Sequence, residues 1–285
     1  IIADDRSMTV LLQELMQFYS SAIVKADAEE PALAPSSIEY ADYALWQRSL
    51  LEAGERDRQL AYWREKLGGD IDLLALPTDR PRPIRQSFRG AQHAIELPAA
   101  LTAQLKALAR QGSATTFTLL LAAFNVLLHR YTGQCRLRVG IPVANRQRVE
   151  TERLIGFFVN TQVLQIEVDS SSSFLSLLSA VRQTTLEAQE HQDIPFEQLV
   201  EALQPQRSMA HTPLFQVMFS HLQAGKNLRS QYRMEGLQLE AVNSPVQVAK
   251  FDLDLATVEN ESGTLTMVFT YATDLFEAST IARMA

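Results

Sequence analysis

One cysteine, Cys135, stands in 285 residues. No internal disulfide framework is therefore possible, and this usage fits a reducing cytoplasm. Long apolar runs are also missing: none approaches the ~20 residues that a membrane-spanning helix needs, and no signal-peptide pattern opens the chain. Basic charge is in short supply, with a formal net charge of −7, which disfavours a nucleic-acid partner because phosphate binding needs a basic face. Glycine is scarce at 11 residues, and none of these glycines builds a phosphate-cradling loop of the Walker or Gly-x-Gly-x-x-Gly type. A Gly-x-Ser-x-Gly nucleophile elbow is absent, and no His/Cys cluster has metal-ligand spacing. Hydrolase, nucleotide-binding and metal-centre readings thus lose their usual signals.

What remains is ordinary for a globular protein: 46% hydrophobic and 21% charged residues. The chain begins Ile1-Ile2-Ala3-Asp4-Asp5 without Met. An apolar triplet running into two acids reads as the middle of a strand and its exit turn, so the expectation is a fragment whose first part is missing. Asp5 or Ser7 is suited to cap a helix. Met8, Leu11, Leu12, Leu15, Met16, Tyr19 and Ile23 recur with helical period and predict one buried face. After a polar, proline-bounded loop, Ser36 or Ser37 is placed to cap a second helix, with Tyr43, Trp46 and Leu50 on one side. A third helix over Arg56–Leu67 ends at Gly68-Gly69, which suits a C-cap. Pro77, Pro81 and Pro83 interleaved with Arg80, Arg82 and Arg85 make a stiff basic linker and a subdomain boundary.

Beyond the linker, strands are expected at Phe88–Leu97, Arg136–Val143, Thr161–Val168, Pro213–Phe219, Leu237–Val242, Phe251–Val258 and Leu265–Tyr271. Helices are expected at Pro98–Gln111, from Thr115 or Thr116 to Tyr131, after Ser170–Ser173, and over Phe196–Leu203 behind Pro195. Strands mixed with helices in this order predict an α/β (α+β) sandwich on a mixed sheet. The organising stretch is Ile155-Gly-Phe-Phe-Val-Asn-Thr-Gln162. Gly156 permits a bend, Phe157–Val159 reads as a strand entry, and Asn160 and Thr161 put polar groups where core is expected. The segment reads either as a strand with two satisfied polar residues or as the wall of a channel. His191 and Asp193 share one loop, which is weak evidence for a ligand pair.

Five stretches resemble the condensation domain of nonribosomal peptide synthetases, over essentially the whole chain. Ile1–Ser7 is similar to the tail of the His-His-x-x-x-Asp-Gly motif, cut just after the two histidines. Tyr40-Ala-Asp-Tyr-Ala-Leu-Trp46, Ile155–Gln162, His191-Gln-Asp-Ile-Pro-Phe-Glu197 and Arg207–Phe219 resemble the later motifs. The resemblance implies two chloramphenicol-acetyltransferase-like lobes: residues 1–76 as the remainder of the N-terminal lobe, 77–87 as linker and 88–285 as a nearly complete C-terminal lobe. It implies amide formation between a donor acyl or peptidyl thioester and an acceptor aminoacyl thioester. Both would ride on the phosphopantetheine arms of carrier domains, with no cofactor or metal bound directly and an adenylation domain as neighbour in the cytoplasm.

By the same resemblance, Asp4 is the structural motif aspartate, Ser7 is the motif serine, and the arginine beneath Asp4 is either Arg146 or one in the missing first part. Gly156, Phe158, Asn160, Thr161, Gln162, His191, Gln192 and Asp193 belong to the substrate tunnel. The catalytic histidines would precede residue 1, and the fragment alone would be inactive. Asp5 departs from the family's glycine. It is expected either to cap the helix toward solvent, or to sit in left-handed backbone and favour protonation of a nearby histidine. A non-catalytic carrier-docking module, a stand-alone acyltransferase, and epimerisation or heterocyclisation relatives are the alternatives. The segment Arg207–Pro213 resembles domains that accept a D-configured donor terminus. Exposed apolar edges predict poor solubility of the isolated chain.

Overall fold

The computed structural model describes residues 2–24, 38–69, 73–204, 208–223 and 247–285. Contacts group the chain into two units, one drawn from Ile1–Gln59 and Val143–Asn160, the other from Leu60–Pro142, Thr161–Ala224 and Ser244–Ala285.

The first unit holds α1 (Asp5–Val24) and α2 (Tyr40–Leu50), followed by a π-helical turn over Leu51–Glu55 that kinks at Gly54 with φ of 107°. Asp4 caps α1, because its Oδ1 accepts the Ser7 N–H at 2.8 Å. The expected caps, Asp5 and Ser7, instead lie inside the first turn. Asp5 is helical and exposed, so it needs no left-handed backbone and fits the solvent-facing alternative. Ser36 and Ser37 lie outside the described residues. A Glu39–Asp42 capping box opens α2 in their place. The apolar stripe of α1 is only partly covered. Val10 and Met16 are buried, but Met8, Leu11 and Leu15 are 42–56% exposed. The helical period is as predicted; the burial of that whole face is not.

The second unit is built on a six-stranded mixed sheet in the order β1-β6-β5-β4-β2-β3. Its strands are β1 (Gly90–Leu97), β2 (Arg136–Val143), β3 (Asn160–Glu167), β4 (Val217–Gln223), β5 (Leu253–Glu259) and β6 (Leu265–Ala272). β2, β4 and β5 pair in parallel, whereas β6 runs antiparallel to both β5 and β1. Val217, Phe219, Leu253, Leu255, Phe269 and Tyr271 point from the sheet into one core. They share it with α5 (Thr116–Thr132) and α6 (Phe174–Gln189). Apolar residues on nearly every face of α5 explain its depth there. Thr115 and Ser173 cap these helices through their side chains, each accepting an N–H at 3.1 Å. The remaining helices of this unit are α3 (Arg56–Leu67, which starts just before the unit boundary), α4 (Ala99–Gln111), α7 (Phe196–Leu203) and α8 (Ala278–Met284).

Three expectations need correction or fall away. Leu154–Val159 is irregular, and the strand starts only at Asn160. Pro213–Gln216 is also not strand: Leu214 sits in left-handed backbone at φ of 66°, which breaks the extended run before Val217. The expected strand Leu237–Val242 lies outside the described residues. The arginine-proline segment is strapped down. Asp79 accepts the Glu277 N–H and the Thr280 hydroxyl at the start of α8, both at 2.8 Å. Arg82 reaches Asp252 ahead of β5, donating to Oδ1 at 2.8 Å and to Oδ2 as well.

Candidate functional site

The first unit joins three separated stretches through one buried carboxylate. Asp4 is 7% exposed. Its Oδ1 accepts Arg146 Nη2 at 2.9 Å, Ser7 N at 2.8 Å and the Ser7 hydroxyl, whose oxygen lies 2.7 Å away. Its Oδ2 accepts the Phe158 N–H at 3.2 Å. Burial opposes the charge, but the hydrogen bonds from Ser7, Arg146 and Phe158 outweigh it and hold the carboxyl below the usual aspartate range.

Ser7 is the hub. Its oxygen also accepts Arg146 Nη2 at 2.8 Å and the Gly156 N–H at 3.0 Å, and it stands 2.7 Å from the Gly156 carbonyl. A hydroxyl has one proton, so Asp4 and the Gly156 carbonyl compete for it. Arg146 spends Nη1 on the carbonyls of Leu154, at 2.9 Å, and Thr151. Its plane lies 4.0 Å from the Phe158 ring centre. Asn145 just before it takes left-handed backbone at φ of 52°, a conformation its residue type tolerates, and donates to the Tyr43 hydroxyl at 3.2 Å.

Gly156 is required by close approach. A Cβ there would sit 2.2 Å from the Tyr40 ring. Tyr40 covers the turn and donates to the Phe157 carbonyl at 2.7 Å, while Phe158 meets the rings of Tyr40 and Tyr43 at 5.1 and 4.6 Å. The aromatic stripe of α2 is thus partly core packing, through the buried Tyr43. Trp46 is 37% exposed and lies beneath Arg148. In this unit, then, Asp4, Ser7, Arg146, Gly156 and Phe158 converge, and Asn160 is half-buried at the head of β3.

The other expected residues lie in the second unit. Gln162 is buried and donates to the Ala188 carbonyl at 2.6 Å, and Thr161 is half-buried beside it in β3. His191, Gln192 and Asp193 form the turn after α6. The His191 ring stacks on Tyr62 at 3.8 Å and 7°, and its carbonyl accepts Trp63 Nε1 at 2.8 Å. Its Nδ1 lies 2.8 Å from the Glu187 carbonyl. A carbonyl only accepts, so Nδ1 carries a proton and donates. Burial, with Glu187, Glu190 and Glu65 nearby, pushes the Tyr62 hydroxyl up to about 12. Sequence reading found His191 but not its stacking partner. The Tyr62-Trp63 pair on α3 was the available signal.

A cavity of about 720 Å³ in the second unit is lined by Arg136, Arg138, Gln134 and Gln216 among others. Arg138 there donates to Gln165 and to the Leu67 carbonyl, both at 2.8 Å.

The condensation-domain model matches residues 1–285. One of the linear gramicidin synthase polypeptides of Brevibacillus parabrevis is 48% identical over 289 residues, covering 100% of this chain and 4% of the synthase polypeptide. The chain therefore spans a small part of that relative. Among solved structures, the X-domain of teicoplanin biosynthesis in complex with OxyB superposes with a TM-score of 0.88 at 28% identity, over 100% of this chain and 63% of that one. The condensation domain of the monacolin K polyketide synthase MokA superposes at 0.80 and 22% identity, over 99% and 64%; at that identity the likeness concerns the fold. With a full-length family match and a mixed α/β fold shared with these structures, the chain belongs to the condensation-domain family.

Proposed function

We propose that this chain is part of a condensation domain in a nonribosomal peptide synthetase, and that the whole domain forms an amide between two carrier-bound substrates. The acceptor nitrogen attacks the donor thioester carbonyl, the C–N bond forms, and the C–S bond breaks. The proton lost by nitrogen ends on the departing thiol, so atoms balance. Phosphopantetheine thiols of carrier domains hold both substrates, and neighbouring carrier and adenylation domains supply them. We assign residues 1–76 and 88–285 to the N- and C-terminal lobes, with 77–87 between.

The observation that carries this reading is the Asp4–Ser7–Arg146 cluster. It fixes the N-terminal motif against the backbone of Gly156 and Phe158. Rigid support of that kind is what an attacking group held to within about half an ångström needs. The five histidines of the chain are all separated in sequence, so the histidine pair that this reading requires is not among them.

A second reading, a docking module without catalysis, draws support from the X-domain relative solved with OxyB. One experiment separates the two. The parent synthetase, with donor and acceptor loaded on its carriers, is followed through a single turnover by intact mass. Dipeptidyl product that disappears when the histidine pair is replaced supports catalysis. Carrier binding without product supports docking, and loss of both sinks both readings.

A further inference from the structure

Two aspartates at the head of β5 have opposite surroundings. Asp252 is buried and held by both arms of the Arg82 guanidinium. Asp254, two residues on, has no hydrogen-bond partner for Oδ1 among the described residues, although that atom is buried. In register it lies between Met218 of β4 and Thr270 of β6, on the face opposite the buried Leu253 and Leu255. Thr270 already accepts the Gln92 amide at 3.1 Å. One step along this face the strands carry Ser220, Ala256 and Val268, which are small or apolar and bring no cation. Burial therefore prevails over the modest pull of Lys250 and pushes the Asp254 carboxyl up to about 6.

Buried polar atoms are almost always paired, so an orphan carboxylate oxygen on a half-covered sheet face marks a place built for something else to bind. A carboxylate accepts and never donates, which limits the complement to an N–H or O–H donor, best a cationic one. We propose that Asp254 is an amine-recognition residue. Its carboxylate receives the amine or ammonium nitrogen of a carrier-bound aminoacyl substrate on this face of the sheet. The assignment rests on the amide-forming reading above, whose acceptor is a primary amine.

The test uses the full synthetase and an aminoacyl-pantetheine thioether, with and without N-acetylation. The wild type is expected to bind the free amine at least about tenfold more tightly, a difference of about 1.4 kcal/mol. Asp254→Asn removes that preference without lowering the melting temperature. Asp254→Glu, which keeps the charge, restores part of it. A wild type without the preference overturns the assignment, as does an Asn variant that retains it. So does an Asn variant that melts early and loses both ligands alike, since that marks a structural role. Where Asp254→Asn does not fold, Asp254→Thr carries the same comparison. Turnover in the same preparations keeps the two ideas apart. Product formation with the preference intact in the variant sinks only this assignment. Absence of product in the wild type sinks the amide-forming reading, while the amine preference is still measured.

Discussion

Each unit buries an aspartate against an arginine, and the two pairs are built differently. Asp4–Arg146 is closed: the side chains are 2% and 5% exposed, and Ser7 and the Phe158 backbone fill the remaining oxygen positions. Arg82–Asp252 is a fork whose arginine is 23% exposed and whose further acceptor is the Ala210 carbonyl at 3.2 Å. The first pair therefore organises backbone around itself, since the Phe158 N–H donates to Asp4 and the Gly156 N–H to the Ser7 oxygen that both partners share. The second ties a proline-stiffened segment to the sheet. A buried ion pair contributes little net stability but is costly to break from one side. The difference between the pairs therefore lies in what each holds in place.

Arg146→Ala is expected to cause the larger loss. Asp4 would be left buried and uncompensated, at a cost of about 3–5 kcal/mol, and the Leu154 and Thr151 carbonyls would lose their donor. Chemical denaturation of the parent domain measures it. Unchanged stability and turnover would show that the cluster is dispensable. Arg82→Lys is the gentler break. Lysine keeps the charge but loses the two-pronged geometry, with an expected loss of about 1–2 kcal/mol. A loss equal to that of Arg146→Ala would erase the distinction between the two pairs.

The third effect is a gain, and it appears only at the higher pH. Asp254 has a folded value near 6, above the usual 3.8. The native state therefore binds the proton more tightly, and stability falls as pH rises through that window. Asp254→Asn is expected to be about 1–2 kcal/mol more stable than wild type above about pH 6 and no more stable near pH 4. Melting temperatures at the two pH values check the sign. Asp4 runs the other way, because its lowered value gives stability that is present at neutral pH and lost as pH falls through the folded value.

Much of this was legible beforehand because local signals agreed. Apolar content marked α5, helical periodicity marked α6, alternation marked β5, and threonine and serine marked the caps of α5 and α6. The closeness of Asp4 to Arg146, 142 positions apart in sequence, came from family resemblance; composition and spacing say nothing about it. What escaped were features set by tertiary geometry. Pro213-Leu-Phe-Gln-Val has the alternation of a strand, but Leu214 turns left-handed and Gln216 is diverted to accept the Leu74 N–H at 3.0 Å. The α1 stripe announced a helix correctly, yet periodicity cannot say what covers it. Asp254 was visible within Phe-Asp-Leu-Asp-Leu, but alternation alone does not separate a solvent-facing acid from a stranded one.

The chain has two tryptophans, and they fall one to each unit. Trp63 is 2% exposed, with its indole N–H committed to the His191 carbonyl, whereas Trp46 is 37% exposed under Arg148. Indole emission is sensitive to water and to nearby charge, so the protein carries its own pair of optical reporters. Replacing Trp46 by Phe leaves a single tryptophan, seated against the His191 turn. Disturbance of that turn can then be followed in the unlabelled protein, separately from anything that happens around Asp4.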